Sequence, residues 1–423
     1  MPKLQDLRID FNKSGAIYLP GEIVSGRVFL RLSGSKNIRE IRMEASGEAE
    51  THWTKKKRDK DSSGRSQTRI EHYRGNQHYF SVTNRLLGNG IGDEHSTLPS
   101  GEHSYHFSFQ LPSNIPCSIE HELGFVRYTV RVLLTRPWKF DHKVISAFSV
   151  ISSYDLNAVY DLSTGISEEF RRNFRYWCVL SDGGVNIRLG SRVKGFVPGE
   201  TIELVVKYDN NSTRVDLTKM KLNLEKSMTF YTSSPKDKKL SSEIVKKTKV
   251  VGPFPKIGET ILKLEVPPVP PSRLENCSLI DLCYKLNLTL SVSGLRFPIK
   301  KSYPVEIGTV PIYGRAAAAG TIPAPPCAAP VAPLIEQMSP AVGQHTSQSV
   351  NPIGFVIVGA PPSVTSGVPQ LVPMDAMPPP AYEECISGSK TITPIEQGMY
   401  GADVQFAPRY PVYRFPTPRP YST

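Results

Sequence analysis

Four residues near the C-terminus carry the sharpest chemical signal, Pro379-Pro380-Ala381-Tyr382, within Pro378-Pro379-Pro380-Ala381-Tyr382-Glu383-Glu384. Each proline holds φ near about −65°, and adjacent prolines stiffen the chain into a left-handed polyproline II helix. Three residues per turn put Pro379 and Tyr382 on one side. An aromatic-lined groove then takes the proline and a neighbouring pocket takes the tyrosine ring, which is the recognition chemistry of a WW domain. A segment already extended before its partner arrives loses little entropy on docking. Tyr410, Tyr413 and Tyr421 also lie near prolines but lack the Pro-Pro pair, so they read as tail composition.

Cationic runs are the second chemical feature: Lys55-Lys56-Lys57-Arg58, Lys236 through Lys239 with Asp237 inside, and Lys246-Lys247. Each is bounded by strand-like segments and reads as a solvated loop. The functional alternative is attraction to an anionic membrane face, worth about 1 kcal/mol per basic residue near the surface. Lys55, Lys56, Lys57 and Arg58 are the candidates for that contact. Nucleic-acid recognition is disfavoured, because the charge is spread over several segments and no helix-turn-helix, zinc-finger or RNA-binding signature accompanies it.

Other residue clusters lead to no chemistry. His72, His78, His95, His103 and His106 lie close in sequence, but their spacing matches no zinc site, so no metal is assigned. Gly88-Asn89-Gly90-Ile91-Gly92 resembles a phosphate loop only superficially: the final Lys-Ser/Thr is missing and no helix follows, so it reads as a hairpin loop. No G-x-S-x-G elbow, H-E-x-x-H or kinase signature occurs. The expectation is a protein that is not an enzyme, with no cofactor and no small-molecule substrate.

The elements that must position these residues show themselves through a repeat. Tyr18-Leu19-Pro20-Gly21-Glu22-Ile23-Val24 returns 178 positions later as Phe196-Val197-Pro198-Gly199-Glu200-Thr201-Ile202. Proline presets the turn, glycine takes the corner, and a β-rich run follows. The register extends outward, with Ile9 opposite Ile187, Phe11 opposite Leu189, and Ile41-Arg42-Met43 opposite Met220-Lys221-Leu222 after one inserted residue. A period this long is a whole domain, far beyond a solenoid unit. Strict alternation recurs in both copies: Val28, Leu30 and Leu32; Tyr105, Phe107, Phe109 and Leu111; Val126 to Leu134; Ile202 to Tyr208; Leu262 to Val266; and Leu282 to Val292. One dry face and one wet face per strand is the mark of antiparallel sheets. Helical periodicity is nearly absent, and Ser167–Phe174 is its best candidate.

Composition divides the chain. Residues 312–423 hold 20 of the 37 prolines with five basic and six acidic residues, so the net charge of +13 resides in residues 1–311. The predicted organisation is all-β: two immunoglobulin-like antiparallel β-sandwich domains at 1–150 and 173–311, a linker at 151–172, and a disordered proline-rich tail at 312–423. Six scattered cysteines without a C-x-x-C, and a start without an apolar leader, point to a reducing, cytoplasmic setting.

Tyr18 to Glu22, the block from Leu98 to Phe140 and the block from Gly184 to Val215 resemble the arrestin N- and C-domains, over residues 1 to about 311. Within that clan the chain resembles the α-arrestins, the arrestin domain-containing proteins. The stretch after Pro116-Cys117-Ser118 runs straight into a strand, and the tail carries the P-P-x-Y motif that is their hallmark. Relatives often carry two such motifs and paired cysteines before the second domain; here one motif is present, and Cys178 alone follows Trp177. The resemblance implies an adaptor whose sandwiches hold a transmembrane receptor or transporter cargo. Pro379, Pro380 and Tyr382 would recruit a HECT-type ubiquitin ligase through its WW domains, leading to ubiquitination, endocytosis and endosomal sorting at plasma membrane and endosomes. Two alternatives stand beside it: a signalling or vesicle-trafficking scaffold, and a peripheral membrane-lipid binder, each independent of the tail motif.

Overall fold

The computed structural model describes residues 4–60, 66–88, 96–176, 180–294, 296–312, 380–392, 399–400 and 405–415. Asn89 to Gly92 of the glycine-rich loop, His95, Cys178 and Pro379 lie outside them. The described part of the chain is two β-sandwiches in tandem. In the first, a three-stranded sheet runs Leu4–Phe11, Ile23–Leu32, Gly101–Gln110. It packs on a sheet ordered Ile17–Tyr18, Lys139–Val150, Gly124–Arg136, Glu40–Lys60, Ser66–Leu87. In the second, Ile166–Tyr176, Leu180–Ser191, Thr201–Asn210 and Ile257–Glu265 face Gly195–Phe196, Ile299–Ile307, Ile280–Val292, Leu217–Ser233 and Lys236–Val251. The long pairings are antiparallel; the two-residue strands Ile17–Tyr18 and Gly195–Phe196 pair parallel.

The alternation read from the sequence is the core. Val28, Leu30 and Leu32, Phe107 and Phe109, Val126 to Leu134, Ile202 to Tyr208, and the even-numbered residues from Leu282 to Val292 are buried at every second position. The repeat extends to atoms. Gly21 and Gly199 both take a left-handed φ, at +82° and +88°. Behind each, a glutamate turns back: Leu19 N–H donates to Glu22 Oε2 at 2.7 Å, and Val197 N–H donates to Glu200 Oε2 at 3.0 Å. Buried Tyr128 donates its hydroxyl to Pro116 O at 2.7 Å, and buried Tyr284 does the same to Pro270 O at 2.7 Å. Ser118 and Ser272 each accept a backbone N–H, from Val150 and Ile307, at 2.9 Å. Each such bond adds about 1 kcal/mol and removes a buried polar group that would otherwise be orphaned.

The sandwiches meet through specific bonds. Thr51 Oγ1 donates to Tyr231 O at 2.6 Å, Trp53 Nε1 donates to Asp237 Oδ2 at 3.1 Å, and Arg74 and Ser234 exchange backbone bonds at 3.0 and 3.1 Å.

Three expectations change. Ser167–Phe174 is strand, part of Ile166–Tyr176, so the expected linker 151–172 overlaps the first strand of the second sandwich. Ile166, Phe170 and Phe174 recur every fourth residue, which suits a helix but is also a multiple of two. The intervening place on that face is held by Glu168, bonded to Lys301 and Tyr303, and a glutamate there hides the strand pattern. The basic runs are strand as well. Lys55–Arg58 belongs to Glu40–Lys60, and Lys236–Lys239 and Lys246–Lys247 belong to Lys236–Val251. The first hairpin runs past the core with both faces wet, and the second strand is a sheet edge, so neither needs alternation. Third, part of the tail expected to be disordered is strand: Ala381–Glu384, Lys390–Thr391, Met399–Tyr400, Gln405–Phe406 and Arg409–Val412.

Candidate functional site

The Pro379-Pro380-Ala381-Tyr382 motif enters the described structure at Pro380. From Ala381 it is β-strand and not polyproline II, paired antiparallel so that Ala381 faces Val412, Tyr382 faces Pro411, Glu383 faces Tyr410 and Glu384 faces Arg409. Cys385 N–H donates to Pro408 O at 2.8 Å, so Tyr382 and Pro411 form a non-bonded pair, and the proline, whose nitrogen faces away from Tyr382, costs the ladder no bond. The Tyr382 ring is 45% exposed. Partial burial and the Glu22 carboxylate push its hydroxyl pKa up, so the ring stays neutral. The motif tyrosine therefore sits half-exposed on the outer strand of the hairpin.

The partner strand is the anchor. Phe406, Pro408, Tyr410 and Val412 are buried in alternation, with Pro411 buried beside the last two. The Tyr410 hydroxyl donates to Ser118 O at 2.7 Å, and burial raises its pKa far above the ordinary phenol. Arg409 N–H donates to Ser149 Oγ at 3.1 Å and its guanidinium pairs with Glu384 at 3.0 Å. Tyr413 N–H donates to Pro198 O at 2.9 Å and its hydroxyl donates to Thr309 O at 2.5 Å. The second copy of the Pro-Gly turn is thus a seat for the tail. A Cβ on Gly199 would lie 2.0 Å from Tyr413 O, so only glycine fits.

Further along the tail, Arg127 makes a buried two-bond pair with Glu120 at 2.7 Å each and donates to Ile392 O at 2.6 Å. Lys226, also buried, pairs with Glu243 at 2.5 Å and donates to Ser387 Oγ at 3.3 Å. Burial raises the Glu120 carboxyl pKa even beside its arginine. A charge placed here without its partner would be costly, so these pairs make the seat specific. Tyr410 and Tyr413, read as tail composition, are structural anchors. The signal that marks them is the period-two run from Phe406 to Val412 in a segment otherwise read as composition alone.

The Lys55–Arg58 run is half neutralised. Lys55 pairs with Asp237 at 2.5 Å and Lys57 with Glu71 at 2.6 Å. Only Lys56 and Arg58 lack an ion-pair partner among the described residues. His52 and His72 stack with centroids 5.7 Å apart, and His103 bonds Pro99 O at 2.9 Å. Among the described residues no group of three or more His, Cys, Asp or Glu is placed to hold a metal ion, and no helix is long and apolar enough to cross a membrane.

Twin sandwiches built on the same turn, tyrosine and serine bonds are an arrestin-type frame. Residues 7–157 match the arrestin (or S-antigen) N-terminal domain, and residues 181–312 match the arrestin (or S-antigen) C-terminal domain. The chain belongs to the arrestin family, in its α-arrestin, or arrestin domain-containing, branch. It is 27% identical to arrestin domain-containing protein 17 of Caenorhabditis elegans, over 98% of this chain and 100% of that protein. It is 24% identical to human arrestin domain-containing protein 1, over 100% and 96%. Arrestin domain-containing protein 4 of Mus musculus is 27% identical over 72% and 71%. The role that goes with this frame is an adaptor in protein trafficking.

Proposed function

We propose that the protein links membrane-protein cargo to a HECT-type ubiquitin ligase, with the sandwiches holding the cargo and Pro379, Pro380, Ala381 and Tyr382 docking a WW domain of the ligase. The outcome is ubiquitination and endosomal sorting of the cargo by an adaptor recruited from cytoplasm to plasma membrane and endosomes. The observation that carries this reading is the exposed Tyr382 ring, set on the outer strand of a hairpin whose other strand is firmly anchored. Docking requires Ala381 and Tyr382 to leave the strand and take up polyproline II.

The test is capture of the ligase's WW domains by the full chain and by Tyr382→Ala. Loss of an anchor ring costs about 2 kcal/mol or more, a thirtyfold or larger drop in affinity. Equal capture by both proteins rejects the assigned site. The reading of Lys55–Arg58 as a membrane contact is weakened by the pairing of Lys55 and Lys57.

A further inference from the structure

The most exposed large apolar side chains of the first sandwich lie at one hairpin. They stand at the tip of the hairpin joining Gly124–Arg136 to Lys139–Val150, in the sequence Arg136-Pro137-Trp138-Lys139-Phe140. Trp138 is 94% exposed and Phe140 82%. Aromatic rings this large are rarely left in water by a protein that has no use for them there.

The backbone sharpens the point. Trp138 takes φ +57°, a left-handed conformation that costs a bulky residue and that glycine adopts freely. The corresponding hairpin of the second sandwich, between Ile280–Val292 and Ile299–Ile307, has a longer turn and takes its left-handed φ at Gly294, at +77°. The two turns differ in length: Arg136 still pairs with Lys139 in the first, whereas the last pair of the second is Leu290 with Ile299. The first sandwich thus puts a tryptophan in a conformation that the second gives to a glycine. Strain retained at an exposed site points to use of the side chain. The turn is also held in shape, because the Arg136 guanidinium donates twice to Phe140 O, one of these bonds at 2.8 Å.

We propose that this tip is a membrane contact, with Trp138 and Phe140 entering the headgroup–acyl boundary of an anionic bilayer. Aromatic rings beside cations are the composition that the bilayer interface favours. Arg136, Lys139 and Lys143 outnumber Asp141 along the tip, which favours anionic lipid over neutral lipid. The contact is separate from Lys55–Arg58 and does not depend on the tail motif.

The experiment uses the full chain with vesicles of phosphatidylcholine alone and with about one-third phosphatidylserine added, read by sedimentation and tryptophan fluorescence. Trp53 is buried, so a vesicle-induced blue shift that disappears in Trp138→Phe reports this tip. Trp138→Gly suits the turn and leaves folding intact. Combined with Phe140→Ser it weakens sedimentation with anionic vesicles by about tenfold or more. Lys56→Gln with Arg58→Gln leaves the shift in place. The proposal is overturned if neither vesicle sediments the chain, if the double substitution leaves sedimentation unchanged, or if Trp138 stays in a water-like environment while the chain is bound.

Discussion

His142 shows how much a single side chain can couple this fold to pH. Lys36 Nζ lies 3.0 Å from its Nε2, and an ammonium can only donate, so the ring must be neutral. Burial, then the Lys36 and Arg136 charges, push its pKa down from 6.5 to about 4. Between those values the unfolded ring binds a proton that the folded ring refuses. Stability conferred by the neutral ring is therefore present above pH 6.5 and is lost as pH falls toward 4. The ring is partly in solvent, so the loss is about 1 kcal/mol, well short of the full linkage value. Urea midpoints taken at pH 7 and pH 5 should differ by less in His142→Asn than in the parent. Tyr382 marks the limit of sequence reading at this scale. Its type and its neighbouring prolines are legible in the chain, but its partner Pro411, twenty-nine residues on, is not.

At the scale of elements the tail hairpin is the instructive case. Two strands of four residues would be marginal alone in water. Here Arg409–Val412 is secured by what it lies on: Ser118, Ser149 and Pro198 all supply acceptors for it. Tyr410→Phe removes one buried hydroxyl bond and should cost about 1 kcal/mol. Tyr410→Ala empties a fully buried ring site and should cost about 3–5 kcal/mol, enough to release the hairpin before the sandwiches unfold. Because Ala381–Glu384 competes with polyproline II, Tyr410→Ala should bind the ligase's WW domain more tightly than the parent, and titration of both proteins measures the difference. Weaker binding by the variant would mean that the hairpin presents the motif and does not restrain it. Proline content hid this element, since mean composition says nothing of the alternation from Phe406 to Val412. The strand Ile166–Tyr176 was hidden by an ion pair on its inner face, and the long basic hairpin by having no dry face at all.

For the whole molecule, the tail segment is bonded to both sandwiches: to Ser118, Arg127 and Ser149 of the first, and to Pro198, Lys226, Pro268 and Thr309 of the second. Cys117 lies in the same interior as Cys385, Tyr284 and Tyr410, and burial lifts its thiol pKa to about 12. A thiol so held is inert, because the thiolate is the reactive form. Removing residues 380–423 should open this interior, and peptide mapping after alkylation should find Cys117 modified in the shortened protein and protected in the full chain. Protection in both would show that the tail is not its cover. The amino-acid sequence by itself determined the twin sandwiches, because period-two burial and a Pro-Gly-Glu turn are local rules that each strand obeys without knowing its neighbours. It also carries the proposed docking motif, which is written in four consecutive residues. Only the tertiary structure decided where the tail goes, which basic residues are already paired, and which aromatics are left in water, because each depends on groups brought together from far apart in the chain, and no local pattern encodes their meeting.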